Sequence, residues 1–166
     1  MSYLPITADR IESMRKNLDA ALKALDDSGI EFSGIVIRGL SGALAAHYVC
    51  DKTGKPILVI RKGEHSHGNE VETPYPNKIE KYIILDDLIA SGNTIVSIKN
   101  KMDEWRFDNN FQLVAIVLYS SCPIEENPNV RAWEEAGLKG TPIFSHYGRQ
   151  YRRELSPAPE TETVSV

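Results

Sequence analysis

Cysteine is scarce in this chain, and its two cysteines, Cys50 and Cys122, form no Cys-x-x-Cys pair. This argues against a disulfide framework or a zinc cluster and favours a reducing compartment, which we expect to be the cytoplasm. No apolar run reaches the roughly 18 residues that a membrane span needs. The opening residues, MSYLPITADR, lack the apolar core of a secretory signal.

An excess of basic residues is also missing. The 19 Lys and Arg are outnumbered by 23 Asp and Glu, which gives a formal net charge of −4. Dedicated nucleic-acid-binding domains are usually basic, so we expect no nucleic-acid partner. The apolar fraction of 42% and the charged fraction of 25% are ordinary for a globular protein, and 166 residues suffice for one domain.

The sequence does contain short apolar runs that alternate with helical patterns. We predict helices at 8–28, 42–49 and 94–105, and strands at 34–37, 56–60, 82–85, 112–119 and 142–144. Continuous apolar strands are typical of a parallel sheet that is covered on both faces. We therefore predict a doubly wound, mostly parallel α/β sheet flanked by helices. It forms a single domain over 1–153, followed by a disordered tail over 154–166.

One predicted strand runs directly into two adjacent carboxylates and a small polar turn, in the stretch KYIILDDLIASGNTI. Ligands of open α/β sheets bind beyond the carboxyl ends of strands, so Asp86 and Asp87 are candidates for binding vicinal hydroxyls. We expect both at the exposed strand end, because burying an unpaired carboxylate is costly. A turn that suits an anion at a helix N-terminus follows: Ala90, Ser91, Gly92, Asn93 and Thr94. The alternative is a solvated strand end before an ordinary capped loop.

This stretch resembles the phosphoribosyl pyrophosphate (PRPP) motif of the type I phosphoribosyltransferases: an apolar strand, two acidic residues, two mostly apolar residues and a small Ser-Gly-x-Thr turn. The resemblance implies that Asp86 and Asp87 face the ribose hydroxyls and that residues 90–94 bind the 5′-phosphate. It implies transfer of ribose 5-phosphate from PRPP to a nitrogenous base in nucleotide salvage, with release of pyrophosphate. It also implies Mg²⁺ held through PRPP, reached by Asp86 or Asp87 through water, and a homodimer.

A second stretch, RGLSG, follows the first predicted strand. Its place resembles the pyrophosphate loop of the same family, in which relatives often have a non-proline cis peptide. The resemblance implies that pyrophosphate binds at Arg38, Gly39, Leu40 and Ser41. A plain strand-to-helix turn is the alternative.

A third stretch, RKGEHSHG, follows the second predicted strand and resembles the loop of orotate phosphoribosyltransferases. The matching residues are Arg61, Lys62, His67 and Gly68. His65 stands where that loop has a lysine, and a histidine with a pKa near ~6.5 is mostly neutral at pH 7. The resemblance implies that Arg61, Lys62, His65 and His67 act in catalysis together with the carboxylates, on a mobile loop spanning 61–77. A His-x-His metal pair and a solvated loop are the alternatives.

The sequence offers little to recognise the acceptor base. Four aromatic residues are candidates for stacking on a ring: Tyr119, Trp133, Phe144 and Tyr147. A catalytically weak or inactive PRPP-sensing regulator of the same fold is therefore the rival hypothesis, and the histidine at position 65 favours it. A Rossmann-type dehydrogenase is disfavoured, because the first predicted strand-to-helix turn lacks G-x-G-x-x-G spacing.

Overall fold

The computed structural model describes residues 7–61, 71–73, 79–89, 91–105, 111–120 and 130–150. Within these residues the elements follow one another as α1 (Ala8–Asp27), β1 (Gly34–Arg38), α2 (Gly39–Thr53), β2 (Ile57–Ile60), β3 (Val71–Glu72), β4 (Lys81–Asp86), α3 (Asn93–Trp105), β5 (Gln112–Leu118), α4 (Val130–Glu135), β6 (Ile143–Ser145) and β7 (Gly148–Gln150). None of the described helices is long and apolar enough to cross a membrane. The predicted tail at 154–166 lies outside the described residues.

The strands form one sheet in the order β3-β2-β1-β4-β5-β6-β7. The five central strands are parallel, whereas β3 pairs with β2 and β7 with β6 in antiparallel fashion. The predicted mostly parallel, doubly wound sheet is confirmed. After β1 the chain forms β2, which lies on one side of β1, and later β4, which lies on the other side of β1. The carboxyl ends of β1 and β4 therefore meet at a topological switch point, where sheets of this kind bind ligands.

Helices cover both faces of the sheet. Successive strand residues point to opposite sides, and because these strands are apolar throughout, each face has apolar side chains for a helix to bury. On one face α1 and α2 pack against the sheet, and the buried side chains there include Leu18, Leu25, Val49, Ile83, Leu85 and Phe144. On the other face α3 and α4 pack, and the buried side chains include Val36, Ile84, Ile95, Ile98, Met102 and Trp133. The two apolar layers hold the strand ends in fixed positions.

Gly42 allows α2 to pack close to the sheet. A Cβ atom at this position would lie 2.8 Å from Ile37 Cβ and 3.1 Å from the Leu85 carbonyl oxygen. Contacts this short require backbone or packed side chains to shift. The glycine therefore fixes the distance between the first turns of α2 and the ends of β1 and β4.

The connection after β2 differs from the prediction of a single loop over 61–77. Val71 and Glu72 form β3, and Val71 pairs with Ile60 at the carboxyl end of β2. This pairing and the ion pair between Arg61 and Glu72 hold the end of β2 against β3. Residues 62–70 and 74–78 lie outside the described residues.

Candidate functional site

The candidate site lies where β1 and β4 end. Arg38 is the last residue of β1 and Asp86 the last residue of β4, and the two strands are neighbours in the sheet. Ser41, in the first turn of α2, contacts Asp86 directly. The structure thus brings the predicted hydroxyl-binding carboxylates next to a residue predicted to bind pyrophosphate.

Asp86 is buried, with 5% of its surface exposed. Its Oδ1 accepts hydrogen bonds from the Ser41 hydroxyl at 3.1 Å and from the Asp87 amide at 3.0 Å. Burial, together with the negative charge of Asp87, raises the pKa of Asp86 to about 6. The two hydrogen bonds act in the opposite direction and lower it, but their effect is smaller. The expectation that both carboxylates are exposed is wrong for Asp86, because β4 remains paired with β5 up to the pair Asp86 and Leu118.

Asp87 is more accessible and lies beyond the last residue of β4. Its Oδ1 accepts a hydrogen bond from the Leu88 amide at 2.9 Å, which orients the carboxylate. The negative charge of Asp87 lies beside Asp86 and is one cause of the raised pKa of Asp86. Hydroxyl donors or a cation placed between the two carboxylates would offset this charge, so the pair is suited to binding a polyhydroxylated or metal-bearing ligand.

The turn that follows the carboxylates opens α3. Gly92 has φ of 77°, a left-handed conformation that favours glycine, and its carbonyl accepts the Val96 amide at 3.0 Å. The Ser91 hydroxyl accepts the Asn93 amide at 3.3 Å. The first turn of a 13-residue helix thus begins at Asn93 and includes Thr94, close to the carboxylates along the chain. Ala90 lies outside the described residues.

The predicted pyrophosphate stretch is compact, because β1 passes into α2 without a loop. Arg38 is the N-cap residue, and Gly39 has φ of 76°, which lets the chain turn at once into the helix. The Leu40 side chain is 58% exposed. The backbone thus turns directly from strand to helix, and the predicted binding of pyrophosphate at Arg38, Gly39, Leu40 and Ser41 stays a prediction. The described residues contain no cis peptide bond.

The Arg38 side chain crosses from β1 to α3. Its Nη1 donates a hydrogen bond to the Ser97 hydroxyl, one turn beyond the start of α3. Its Nε is buried and finds no hydrogen-bonding partner within the described part of the chain. The guanidinium therefore lies beside α3, which begins at the carboxyl end of the parallel strands, and its Nε–H can still donate a hydrogen bond.

Tyr119 joins three elements at the site, a role that sequence reasoning missed. Its hydroxyl donates to the Ser41 carbonyl at 2.8 Å, while its own carbonyl accepts the Asn17 side-chain amide of α1 at 2.9 Å. Burial and the nearby carboxylates of Asp87 and Asp86 raise the pKa of Tyr119, so its hydroxyl stays protonated and can donate. In the sequence, the one signal for a contact of this kind was Asn17, a polar residue beside the apolar Leu18 in the predicted first helix.

The Arg61 side chain forms an ion pair with Glu72. Its Nε lies 2.8 Å from Glu72 Oε1, with about half of each side chain exposed (54% and 52%). This ion pair joins the end of β2 to β3. Lys62, His65, His67 and Gly68 lie outside the described residues, so their predicted roles stay predictions.

Comparison with known proteins finds similarity among solved structures. No protein-family model and no curated protein matches the chain. Among solved structures, it is similar to orotate phosphoribosyltransferase from Aeropyrum pernix, with a TM-score of 0.57 and 15% identity over 87% of this chain and 78% of the other. It is also similar to a phosphoribosyltransferase from Corynebacterium diphtheriae, with a TM-score of 0.50 and 16% identity over 68% and 62% of the two chains.

The chain has the type I phosphoribosyltransferase fold. Adenine phosphoribosyltransferase from Thermoanaerobacter pseudethanolicus is a further similar structure, with a TM-score of 0.47 and 20% identity over 67% of this chain and 68% of that one. At these identities the similarity concerns the fold alone.

The aromatic candidates occupy different places in this phosphoribosyltransferase fold. Trp133 and Phe144 are buried core residues, at 4% and 0% exposure, so neither presents a face to a ligand. Tyr119 is partly buried and uses its hydroxyl within the protein. Tyr147 is 52% exposed and lies in the turn between β6 and β7. Of these four side chains, Tyr147 has the largest exposed area for contact with a ligand.

Proposed function

We propose that this protein binds PRPP with Mg²⁺ and transfers ribose 5-phosphate to a nitrogenous base, releasing pyrophosphate. The observation that carries the proposal is the carboxylate pair of Asp86 and Asp87 directly before the turn at Gly92 that opens α3. Both features stand at the switch point of a fold shared with phosphoribosyltransferases. Hydroxyl acceptors and an anion-binding helix N-terminus side by side suit a sugar phosphate.

In this proposal Asp86 and Asp87 accept hydrogen bonds from the ribose 2′- and 3′-hydroxyls. Charge-assisted hydrogen bonds of this kind are stronger than neutral ones. Residues 91–94, together with Ala90, bind the 5′-phosphate through the amides at the start of α3. Arg38, beside the same helix, adds positive charge between the phosphate and the leaving pyrophosphate.

The described residues fit a magnesium ion that arrives with the substrate. They contain no group of three or more His, Cys, Asp or Glu that could hold a metal ion, but Asp86 and Asp87 offer carboxylate oxygens. Mg²⁺ prefers oxygen ligands and is commonly bound through one or two carboxylates plus substrate phosphates and waters. When bound, the ion would neutralise charge on the pyrophosphate and so make it a better leaving group.

The transfer asks the protein mainly to position its ligands and stabilise charge. The bond between ribose C1 and the pyrophosphate oxygen breaks, and its electron pair stays on the pyrophosphate. The lone pair of the base nitrogen forms the new bond to C1, and any proton on that nitrogen passes to water. In this proposal the carboxylates of Asp87 and Asp86 also stabilise positive charge on the ribose ring during the exchange.

A PRPP-sensing regulator without turnover is the second candidate function. The ion pair between Arg61 and Glu72 favours it, because this cation already has a carboxylate partner at the edge where pyrophosphate would bind. The histidine at position 65, where the orotate enzymes' loop has a lysine, points the same way. A homodimer and a cytoplasmic location belong to the proposal and rest on the resemblance and on cysteine usage.

The test is pyrophosphate release from PRPP and Mg²⁺ in the presence of single bases: orotate, uracil, adenine, guanine, hypoxanthine, xanthine, nicotinate and nicotinamide. Release with one base supports the transferase, whereas PRPP binding by calorimetry without release supports the regulator. Absence of PRPP binding contradicts both.

Asp87→Asn examines the ribose assignment in the same calorimetric experiment. Loss of one charge-assisted hydrogen bond should cost about 1.5–3 kcal/mol, or roughly 10- to 150-fold in PRPP affinity. Glu31→Gln, at an exposed carboxylate before β1, is the matched control and should bind PRPP like the unmodified protein. Equal PRPP affinity in both variants would contradict the assignment.

A further inference from the structure

The turn between β6 and β7, formed by His146 and Tyr147, lies at the same edge of the sheet as the carboxylate pair. β6 is parallel to β5, and β7 returns antiparallel with Gly148 paired to Ser145. The strand order β4-β5-β6 places this turn two strands from the end of β4. At about 4.8 Å per strand, the separation from Asp86 along the sheet edge is roughly 10 Å, which suits a nucleoside-sized ligand.

The turn presents a built aromatic surface. The rings of His146 and Tyr147 are in contact, with centroids 3.7 Å apart and an interplanar angle of 42°. The Ser145 hydroxyl accepts the Tyr147 amide at 3.2 Å, and the left-handed φ of 85° at Gly148 completes the turn. Ser145 is itself buried, so the half-exposed Tyr147 ring projects from a fixed base.

His146 has a ring nitrogen that is available for hydrogen bonding. Its Nδ1 is buried and has no hydrogen-bonding partner among the residues that the structure describes. A buried polar atom without a partner costs free energy, so this nitrogen is unexplained by packing alone. A ligand that hydrogen-bonds to the edge of the imidazole, after a rotation of its ring, would satisfy it.

The topology also places the turn on the correct side of the ribose. When a sugar C1 is substituted with inversion, the incoming group attacks from the face opposite the leaving group. Of the candidates for binding pyrophosphate, Arg38 ends β1 and Arg61 follows β2, and both strands lie on one side of β4. The turn at 146–147 follows β6, on the other side of β4. The acceptor would therefore approach from the side of this turn.

We propose that His146 and Tyr147 form the acceptor-recognition site: Tyr147 stacks on a planar nitrogen heterocycle, and His146 forms a hydrogen bond to its edge. This inference rests on the proposed function, since it names the place of the second substrate. The described residues before β1 form one helix, α1, and the proposed site instead takes base recognition to a turn near the far end of the sheet.

Two variants at one position separate stacking from mere bulk. Tyr147→Leu removes the ring, whereas Tyr147→Phe keeps it, and the exposed position makes both compatible with folding. Binding of free bases is followed by saturation-transfer NMR on the panel orotate, uracil, adenine, guanine, hypoxanthine, xanthine, nicotinate and nicotinamide, with and without ribose 5-phosphate, Mg²⁺ and pyrophosphate. PRPP binding is measured separately by calorimetry.

We expect at least one base to bind, with affinity reduced about 5- to 150-fold in Tyr147→Leu and within a few-fold of the unmodified protein in Tyr147→Phe. His146→Leu should weaken the same base while leaving PRPP affinity unchanged. Equal affinity in the Leu and Phe variants, or no base binding by a protein that binds PRPP, would overturn this site and leave the PRPP site standing. Base binding that depends on Tyr147 without PRPP binding would instead overturn the proposed function alone.

Discussion

Asp86→Asn should make the ligand-free protein more stable at neutral pH and, under the proposed function, should abolish PRPP binding. The carboxylate is 5% exposed and lies beside a second carboxylate, and its pKa is raised from 3.8 to about 6. The ionised form is therefore less favourable in the folded state than in the unfolded chain. An asparagine removes this charge and keeps an oxygen that accepts the hydrogen bonds of Ser41 and the Asp87 amide.

The magnitude follows from the pKa difference. A displacement of about two pKa units, at about 1.4 kcal/mol each, corresponds to up to about 3 kcal/mol. The folded state retains its proton between about pH 4 and pH 6 while the unfolded state loses it. The free energy of unfolding should therefore fall as pH rises through that window, and the full penalty should be present above pH 6.

Thermal unfolding of the ligand-free protein and the variant, measured at intervals from pH 4 to pH 8, tests this reasoning. At pH 8 the variant should melt higher by up to about 6–12 °C, since 1 kcal/mol corresponds to about 2–4 °C for a chain of this size. The difference should shrink toward pH 4. Glu31→Gln controls for the loss of one negative charge at an exposed position.

Two results would refute the argument. One is a difference in melting temperature between Asp86→Asn and the unmodified protein that is the same at pH 4 and pH 8. The other is a variant less stable than the unmodified protein at pH 8. The expected result, higher stability with lost PRPP affinity, is the compromise between stability and function seen where a binding site holds an unfavourable charge.

Three further changes have defined outcomes. Gly42→Ala forces a methyl group into the backbone and side chains of β1 and β4 and should reduce the free energy of unfolding in urea by about 1–3 kcal/mol. Tyr119→Phe removes the hydrogen bond to the Ser41 carbonyl and should cost about 0.5–1.5 kcal/mol in the same assay, and an unchanged midpoint would contradict that role. Glu72→Gln should leave stability within about 0.5 kcal/mol, because exposed ion pairs contribute little. It should strengthen pyrophosphate binding in calorimetry if Arg61 is the cation that binds it, whereas unchanged affinity would exclude Arg61.

Features that depend on neighbouring residues in sequence were predictable. The strand predicted at 34–37 is observed at Gly34–Arg38, and the helix predicted at 94–105 is observed at Asn93–Trp105. Apolar runs and helical periodicity are local signals, and they identified these elements within one residue. The position of the carboxylates shortly before a turn that opens a helix was likewise predictable, since Asp86 and Gly92 lie close together in one stretch.

Features that depend on distant pairing were not predictable. β3 and β7 have two and three residues, too few for a pattern, and are recognisable only through their antiparallel partners. The early start of α2 depends on the left-handed Gly39, which allows a strand to enter a helix without a loop. The burial of Asp86 depends on continued pairing with β5, and the contact of Tyr119 with Ser41 spans 78 positions.

The two ends of the sheet have a consequence for how copies of this chain can meet. Each outermost described strand, β3 on one side and β7 on the other, is short and antiparallel to its neighbour. A short outer strand offers few open backbone groups for another chain to extend the sheet, which is how natural proteins discourage ribbon-like aggregation. Among the described residues, the two outer strands therefore give a second copy of the chain little backbone on which to continue the β-ladder.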